Sequence, residues 1–166
     1  AANACDESVL KKDSITEKRY TCNCSINTSD TNRANLEKIL RSCGGFRVNS
    51  GGIRKIGVAV AGTIVRAIVD KNDFIASEPF TYTSKLSGDN LINAVFGKFV
   101  DPASGYQISS APPRISLVDE ASDGERKAVN ITYDSVISQT QAQRLMEISR
   151  RLGRYQGTGK VRLRGH

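Results

Sequence analysis

Two amphipathic segments, one near each end of the chain, constrain the fold more than any other feature of the sequence. The first has candidate N-cap residues at 29–31 and a Gly-Gly stop at 44–45. Between them, the apolar residues that recur at helical spacing are Leu36, Ile39, Leu40 and Cys43. This pattern predicts a helix over about residues 31–43.

The second amphipathic segment lies near the C-terminus. It begins near Ser138 or Thr140 and ends at Gly153. The residues that its periodicity would bury are Ala142, Leu145, Met146 and Leu152. We therefore expect a second helix over about residues 140–152.

The sequence between the helices alternates short apolar runs with turn residues, and it predicts three hairpins. The first hairpin turns at residues 49–52, the second at 101–104 and the third at the Asp-Gly pair 123–124. In the third, the runs 114–120 and 126–133 would be the two strands, with Val129, Ile131 and Tyr133 on one face. The regular alternation of strand and helix typical of a parallel sheet is missing. The predicted class is α+β with mainly antiparallel strands.

Three further strands are predicted outside these hairpins. Residues 17–26 alternate so that Tyr20, Cys22, Cys24 and Ile26 share one face, which we expect to be buried. Residues 80–85 and 160–164 also have strand-like composition, and an apolar run covers 63–69. Polar and turn residues cluster at 84–90, so we predict two subdomains, 1–86 and 87–166, each too short to be a large domain.

The four cysteines all lie in the N-terminal quarter of the chain, at positions 5, 22, 24 and 43. Their spacing is unlike that of a zinc site, because no second close pair follows Cys22-Asn-Cys24 and the one histidine is His166. We predict reduced, mostly buried thiols, with a disulfide as the alternative. No metal or other cofactor is expected.

Positive charge is concentrated at the C-terminal end. Residues 141–166 hold seven Lys or Arg against one acid, in a chain whose net charge is +7. Six of these cations, Arg150, Arg151, Arg154, Lys160, Arg162 and Arg164, form a candidate surface that would face another subunit or DNA. The three helical arginines also have a structural explanation, since cations stabilise the C-terminal end of a helix.

The motifs of familiar enzymes are not matched. The segment 153–160 resembles a phosphate-binding loop but has one residue too many between its glycines, and Val161 stands where Ser or Thr would hold magnesium. The acids Asp119, Glu120, Asp123 and Glu125 could bind a cation or act as an acid/base pair, but a solvated hairpin tip explains the same residues and is the interpretation we favour. We expect no enzymatic activity.

Several phrases in order resemble one family. They are CDESVLKKDSITEKRYTCNCSINT (5–28), GGFRVNSGGIRKIGV (44–58), DNLINAVFGKFVDP (89–102) and ITYDSVISQTQAQRLMEISRRLGR (131–154). Together they resemble the phage tail proteins that include the tip attachment, or host specificity, proteins of lambda-like siphophages. The likeness runs from about Cys5 to Arg164, and full-length members are several times longer. We therefore expect this chain to be a portion of a longer polypeptide.

The resemblance implies a structural role as part of the central hub at the distal end of a phage or prophage tail. Such hubs assemble in the bacterial cytoplasm, sit at the tail tip of the virion, and contact the distal tail protein and the tape measure protein. Self-association as a trimer is implied for the full-length protein, and no membrane partner is. The alternative function is nucleic-acid binding by the basic C-terminal helix and strand.

Overall fold

The structure is a computed structural model that describes residues 1–50, 53–59, 74–75, 77, 80–85, 88, 91–155, 157–160 and 162. In chain order its elements are α1 Ala2–Asp6, β1 Ser8–Leu10, β2 Thr16–Lys18, α2 Asn32–Arg41, β3 Phe46–Ser50, β4 Ile53–Gly57, β5 Thr81–Thr83, β6 Ala94–Asp101, a 3-10 turn Pro102–Ser104, β7 Gln107–Ser110, β8 Arg114–Ile115, α3 Leu117–Asp123, β9 Ala128–Tyr133, α4 Gln139–Leu152 and β10 Thr158–Lys160. Helices and short, mostly antiparallel strands are mixed, which confirms the predicted α+β class.

Strand β6 is the centre of the main sheet. It pairs antiparallel with β7 and β8, and parallel with β9. Helix α4 packs on one face, where Val95, Gly97 and Phe99 are buried, while Phe96 and Lys98 are exposed on the other face. Gly97 allows this close approach, because a Cβ there would lie 2.1 Å from Sδ of Met146.

The buried core extends beyond the sheet. Tyr20 and Cys43, from the first part of the chain, belong to the same hydrophobic cluster as Val95, Leu145 and Met146. Among the described residues, three smaller two-stranded sheets are separate from the main sheet and are formed by β1 with β2, β3 with β4 and β5 with β10. The division into subdomains 1–86 and 87–166 stays a prediction.

Two buried amides connect distant parts of this core. Asn93 is fully buried; its amide nitrogen donates to Oδ2 of Asp123 and to the Glu125 carbonyl, and its amide oxygen accepts from the Lys127 N–H at 2.7 Å. Gln141 is 1% exposed and bonds the backbone of Thr21 and the carbonyl of Ser42. Both amides have their hydrogen-bonding groups satisfied, as burial requires. Asn93 thereby joins the end of α3 to the start of β6, and Gln141 joins the end of α2 to α4.

The two predicted main helices are confirmed, including their starts. Thr31 caps α2 by accepting from the Ala34 N–H, and Ser138 caps α4 by accepting from the Gln141 N–H. The hairpin at 49–52 is confirmed in its strands, β3 and β4, and the one at 101–104 by β6, the 3-10 turn and β7. Val129, Ile131 and Tyr133 share the inner face of β9 as predicted.

The third predicted hairpin, over residues 114–133, is wrong. Helix α3 replaces the turn, with Ser116 as its N-cap and acids in its first turn that complement the helix dipole. Gly124 adopts φ 75° as the C-cap of this helix. The Asp-Gly signal therefore ends a helix, and the two flanking strands both pair with β6 instead of with each other.

The predicted strand over 17–26 is also wrong beyond Lys18. Its backbone bonds elsewhere: Thr21 N–H donates to the Gln141 side chain and Asn23 N–H to the Ser135 carbonyl. Only Tyr20 of the proposed face is buried; Cys22 is exposed and Ile26 is 57% exposed. A strand needs a neighbouring strand to complete its ladder, and this segment has none among the described residues.

Leu152 was predicted to be buried with the rest of α4, but it is 57% exposed. It lies in the last turn of the helix, next to the groove described below. The apolar run 63–69 lies outside the described residues, as does most of the predicted strand 160–164, of which Lys160 ends β10. In the described part of the chain, helices are too short or too polar to cross a bilayer.

Candidate functional site

The three arginines that the sequence places at the end of the second helix, Arg150, Arg151 and Arg154, lie against carboxylates, although α4 ends before Arg154. Arg150 donates to Asp119 at 2.8 Å and to Glu147 at 2.9 Å. Arg154 donates to Asp123 at 2.6 Å, and Arg151 to Glu147 at 2.7 Å. We call this group the arginine–acid cluster. Much of the positive charge that the sequence places at the end of α4 is therefore neutralised within the chain.

The same ion pairs account for the acids that we considered as a catalytic or cation site. Asp119 and Asp123 face the arginines of α4, while Glu120 pairs with Arg126 at 3.1 Å and Glu125 with Lys127 at 3.4 Å. Every one of the four carboxylates thus has a cationic partner. Their arrangement fastens α3 to α4 and to the start of β9.

The pKa values in the cluster follow from this pairing. Hydrogen bonds from Arg150 and Arg151 outweigh partial burial and lower the pKa of Glu147 to about 2. Burial would raise the pKa of Asp123, but hydrogen bonds from Arg154 and Asn93 lower it overall. The Glu147 hydrogen bond raises the pKa of Arg150. These groups are charged at neutral pH and act as structural ion pairs.

The remaining residues of the predicted basic surface follow the arginine–acid cluster in the chain, in β10 and beyond it. Lys160 is exposed at the end of β10. The carbonyl of Arg162 accepts from the Ile75 N–H, and Arg164 lies outside the described residues. The basic stripe along a closing strand accordingly stays a prediction.

A second concentration of positive charge lies on the β3–β4 hairpin and the end of α2. We call it the basic hairpin, formed by Arg41, Arg47, Arg54 and Lys55. Within the described ranges, no carboxylate lies within 4.0 Å of these four cations. Sequence reasoning missed this feature, although residues 38–69 hold six Lys or Arg and no Asp or Glu.

Between this hairpin and helix α4 runs an open groove of about 1010 Å³. Gln143, Glu147 and Arg151 follow one another at four-residue spacing along its α4 wall. Its other walls are the base of the hairpin and the β8 segment. The residues that line it are Arg19, Tyr20, Gly44, Phe46, Val58, Ala59, Arg114, Ile115, Ser116, Gln143, Arg144, Glu147, Ile148, Arg150, Arg151, Leu152 and Tyr155. No sequence motif pointed to this groove.

Part of the groove surface is apolar. Its base is held by side-chain packing and by a hydrogen bond from the core. Phe46 covers Gly57 across the hairpin, where a Cβ on the glycine would lie 2.3 Å from the ring. Tyr20 is buried beneath the groove and donates to the Ala59 carbonyl at 2.6 Å. By contrast, Leu152 and Tyr155 are 57% and 69% exposed. The groove therefore combines a fixed base with uncovered apolar side chains.

The arginines that line the groove differ in how they are held. Arg144 donates to Glu17 at 2.6 Å and to the Arg19 carbonyl at 2.7 Å. Burial would raise the pKa of Glu17, but hydrogen bonds from Thr140, Arg144 and Ser138 lower it. Arg114 is exposed, and its guanidinium contacts only the Gln143 side-chain oxygen, at 3.2 Å, among the described residues.

The cysteines are free thiols with unlike surroundings. Cys43 is buried, as predicted, and burial raises its pKa to about 11. Cys22 is exposed and Cys24 is half-buried, and their sulfurs lie 3.6 Å apart. The prediction of burial is therefore wrong for this pair. No group of three or more His, Cys, Asp or Glu side chains in the described ranges is arranged to hold a metal ion.

The chemistry that this geometry supports is binding, through the groove and the basic hairpin beside it. Comparison of the chain with protein-family models and with curated proteins found no match.

Proposed function

We propose that the chain is a structural assembly domain that works through protein–protein interfaces, and that it belongs to the central hub at the distal end of a phage or prophage tail. The groove beside α4, with its uncovered apolar side chains, is the observation that carries the assembly role. Exposed apolar surface that is contiguous and rimmed by polar residues is typical of protein interaction sites.

The hairpin next to the groove supports the same role. Its four large apolar side chains are all exposed: Phe46 55%, Val48 44%, Ile53 63% and Ile56 46%. A two-stranded hairpin has little stability of its own, and among the described residues neither outer edge of this one is paired with a further strand. In an assembly, a neighbouring subunit would cover these side chains and complete the edges.

The assignment to a tail hub depends on the ordered phrases quoted above. It places the protein at the tail tip of the virion after assembly in the bacterial cytoplasm. Its partners would be the distal tail protein and the tape measure protein, with trimeric self-association in the full-length polypeptide. This role requires no catalytic residue, metal or other cofactor.

Immunogold electron microscopy tests the hub assignment. An antibody raised against this chain should label one end of the tail, opposite the capsid, on particles induced from the strain that encodes it. The same antibody absorbed with the purified chain is the control and should give no label. Particles labelled elsewhere, or intact tails without label, would rule the assignment out.

Nucleic-acid binding is the second candidate function, and the basic hairpin favours it. Four cations with no carboxylate within 4.0 Å in the described ranges lie next to apolar side chains, including the exposed ring of Phe46. Such a surface can neutralise phosphates and stack a base. Fluorescence anisotropy with labelled duplex and single-stranded DNA tests it: a Kd of about 1 μM or lower at about 150 mM salt would favour this function. Binding seen only at low salt would exclude it.

A further inference from the structure

We infer that the groove beside α4 binds an acidic segment of a partner protein that also carries apolar side chains. The inference rests on the proposed function, because it names the chemistry of a partner that an assembly domain would hold at this site.

The apolar surface comes from both sides of the groove. Phe46 extends from the hairpin, and Leu152 and Tyr155 lie at the end of α4, each more than half exposed. Ile148 lies one helical turn before Leu152 and is half-buried. Burial of such side chains drives most of the affinity in protein interfaces, and tyrosine and phenylalanine are enriched there.

The charges around the groove select the partner. Five arginines and one glutamate line it. Four of these arginines, Arg19, Arg144, Arg150 and Arg151, already have carboxylate partners. Arg114 has only the Gln143 amide among the described residues. A partner carboxylate would give Arg114 a charge-assisted hydrogen bond, which makes it, among the described residues, the one arginine of the groove with charge available to a partner.

The pairing of these arginines is also the reason to favour a protein over a nucleic acid in this groove. A nucleic acid presents a phosphate at every nucleotide and gains affinity from many unpaired cations. The groove offers one such cation next to apolar side chains, which matches a peptide with an acid and two or three apolar anchors. A cluster of such cations, Arg41, Arg47, Arg54 and Lys55, lies instead on the basic hairpin.

Selection from a random 12-residue peptide display library on the intact 166-residue chain tests the inference without assuming a sequence. Enriched peptides should share at least one Asp or Glu and two or more large apolar residues. Synthetic copies should bind the chain in solution, as measured by isothermal titration calorimetry. The inference is overturned if the selection enriches nothing, or if it enriches basic or uncharged peptides.

Two variants then locate the binding site. Arg114→Glu should weaken binding of the acidic peptides about tenfold or more, and replacing the peptide acid by Lys should restore it. Leu152→Asp should weaken binding to a similar degree, since it puts a charge on the apolar surface. Lys98→Glu is the control for Arg114→Glu, and Ile108→Asp is the control for Leu152→Asp. Both control residues are exposed on the main sheet, outside the groove. Ile108 is 59% exposed and Leu152 is 57% exposed.

Thermal melts establish that each variant is folded, and Tyr155→Ser replaces Leu152→Asp if that protein is not. Equal binding by wild type and groove variants would overturn the inference. So would self-association of the chain that is lost in the groove variants, because a second copy would then occupy the groove. If the antibody labels the tail tip but the chain binds no peptide, the proposed peptide binding by the groove is refuted and the hub assignment is not affected.

Discussion

The C-terminal end of α4 with the turn after it, and the basic hairpin, both carry closely spaced cations, but only those at the end of α4 lie against carboxylates. Arg150 and Arg154 are held by Asp119 and Asp123 of α3. Arg54 and Lys55 on the hairpin have no such partner in the described ranges. The charge that a segment carries is therefore not the charge that it presents to a partner, because acids on the element packed against it neutralise part of it.

The largest expected effect comes from the amide that holds α3, and with it the acids, in place. Asn93→Ala removes three side-chain hydrogen bonds from a fully buried site and leaves the Lys127 N–H without its acceptor. We expect a loss of about 3 kcal/mol in the free energy of unfolding. Urea denaturation measures it. If the loss is below about 0.5 kcal/mol, α3 is not held as described, and the neutralisation of α4 is in doubt.

Contact between α4 and the sheet gives the next largest effect. A Cβ at Gly97 would overlap Sδ of Met146, so Gly97→Ala must push α4 away from β6. Overpacking of this kind costs about 2 kcal/mol, measurable in the same denaturation experiment. Gly105→Ala is the control variant without a clash. No atom lies within 4 Å of the Cβ that it would add, although its φ of 66° adds backbone strain. The clash is refuted if Gly97→Ala costs no more than the control.

Loss of an arginine should destabilise the fold more at the end of α4, where ion pairs hold the side chain, than on the basic hairpin. Arg150→Ala removes contacts with two carboxylates, and we expect it to cost about 1.5 kcal/mol in unfolding free energy. Arg54→Ala on the hairpin should change that free energy by less than about 0.5 kcal/mol. Equal costs for the two variants would remove the distinction between structural and available arginines.

The smallest effect is a dependence on pH. The folded-state pKa of Glu147 is about 2, below its ordinary 4.5, so its ion pairs stabilise the fold above that ordinary value and are lost as the pH falls towards 2. Glu147→Gln lacks this contribution. The difference in unfolding free energy between wild type and variant should therefore shrink between about pH 5 and about pH 2. A difference that stays constant over this range would show that Glu147 is not ionised in the pairs described.

Local chemistry explains which parts of the fold could be predicted from the sequence. The starts of α2 and α4 follow from Thr31 and Ser138, whose side chains cap the helix three residues on. Helix α3 was missed because Asp123-Gly124 suits a hairpin turn and a helix end equally, as Gly supplies positive φ in both. The segment after Lys18 was missed because its alternation satisfies a strand pattern without a partner strand.

The candidate site was harder to predict than the fold. The groove joins Phe46 to Leu152, which are about a hundred residues apart, so no local pattern reveals it. The charge at the end of α4 is neutralised because Asp119 and Asp123 lie on helix α3. The sequence suggested a hairpin there, so this pairing was not predicted. The basic hairpin could have been found, because the acid-free stretch 38–69 is visible in the sequence.

The salt dependence of weak DNA binding tests most directly the claim that the available charge lies on the hairpin. Duplex DNA serves here as an electrostatic probe, titrated by fluorescence anisotropy from about 20 to 100 mM salt. The Arg47, Arg54 and Lys55 to Ala triple variant should lower the slope of log K against log salt by about 2 to 3. The Arg150, Arg151 and Arg154 to Ala variant, assayed below its melting temperature, should leave the slope almost unchanged. The reverse result would contradict the account and restore the end of α4 as the charged surface.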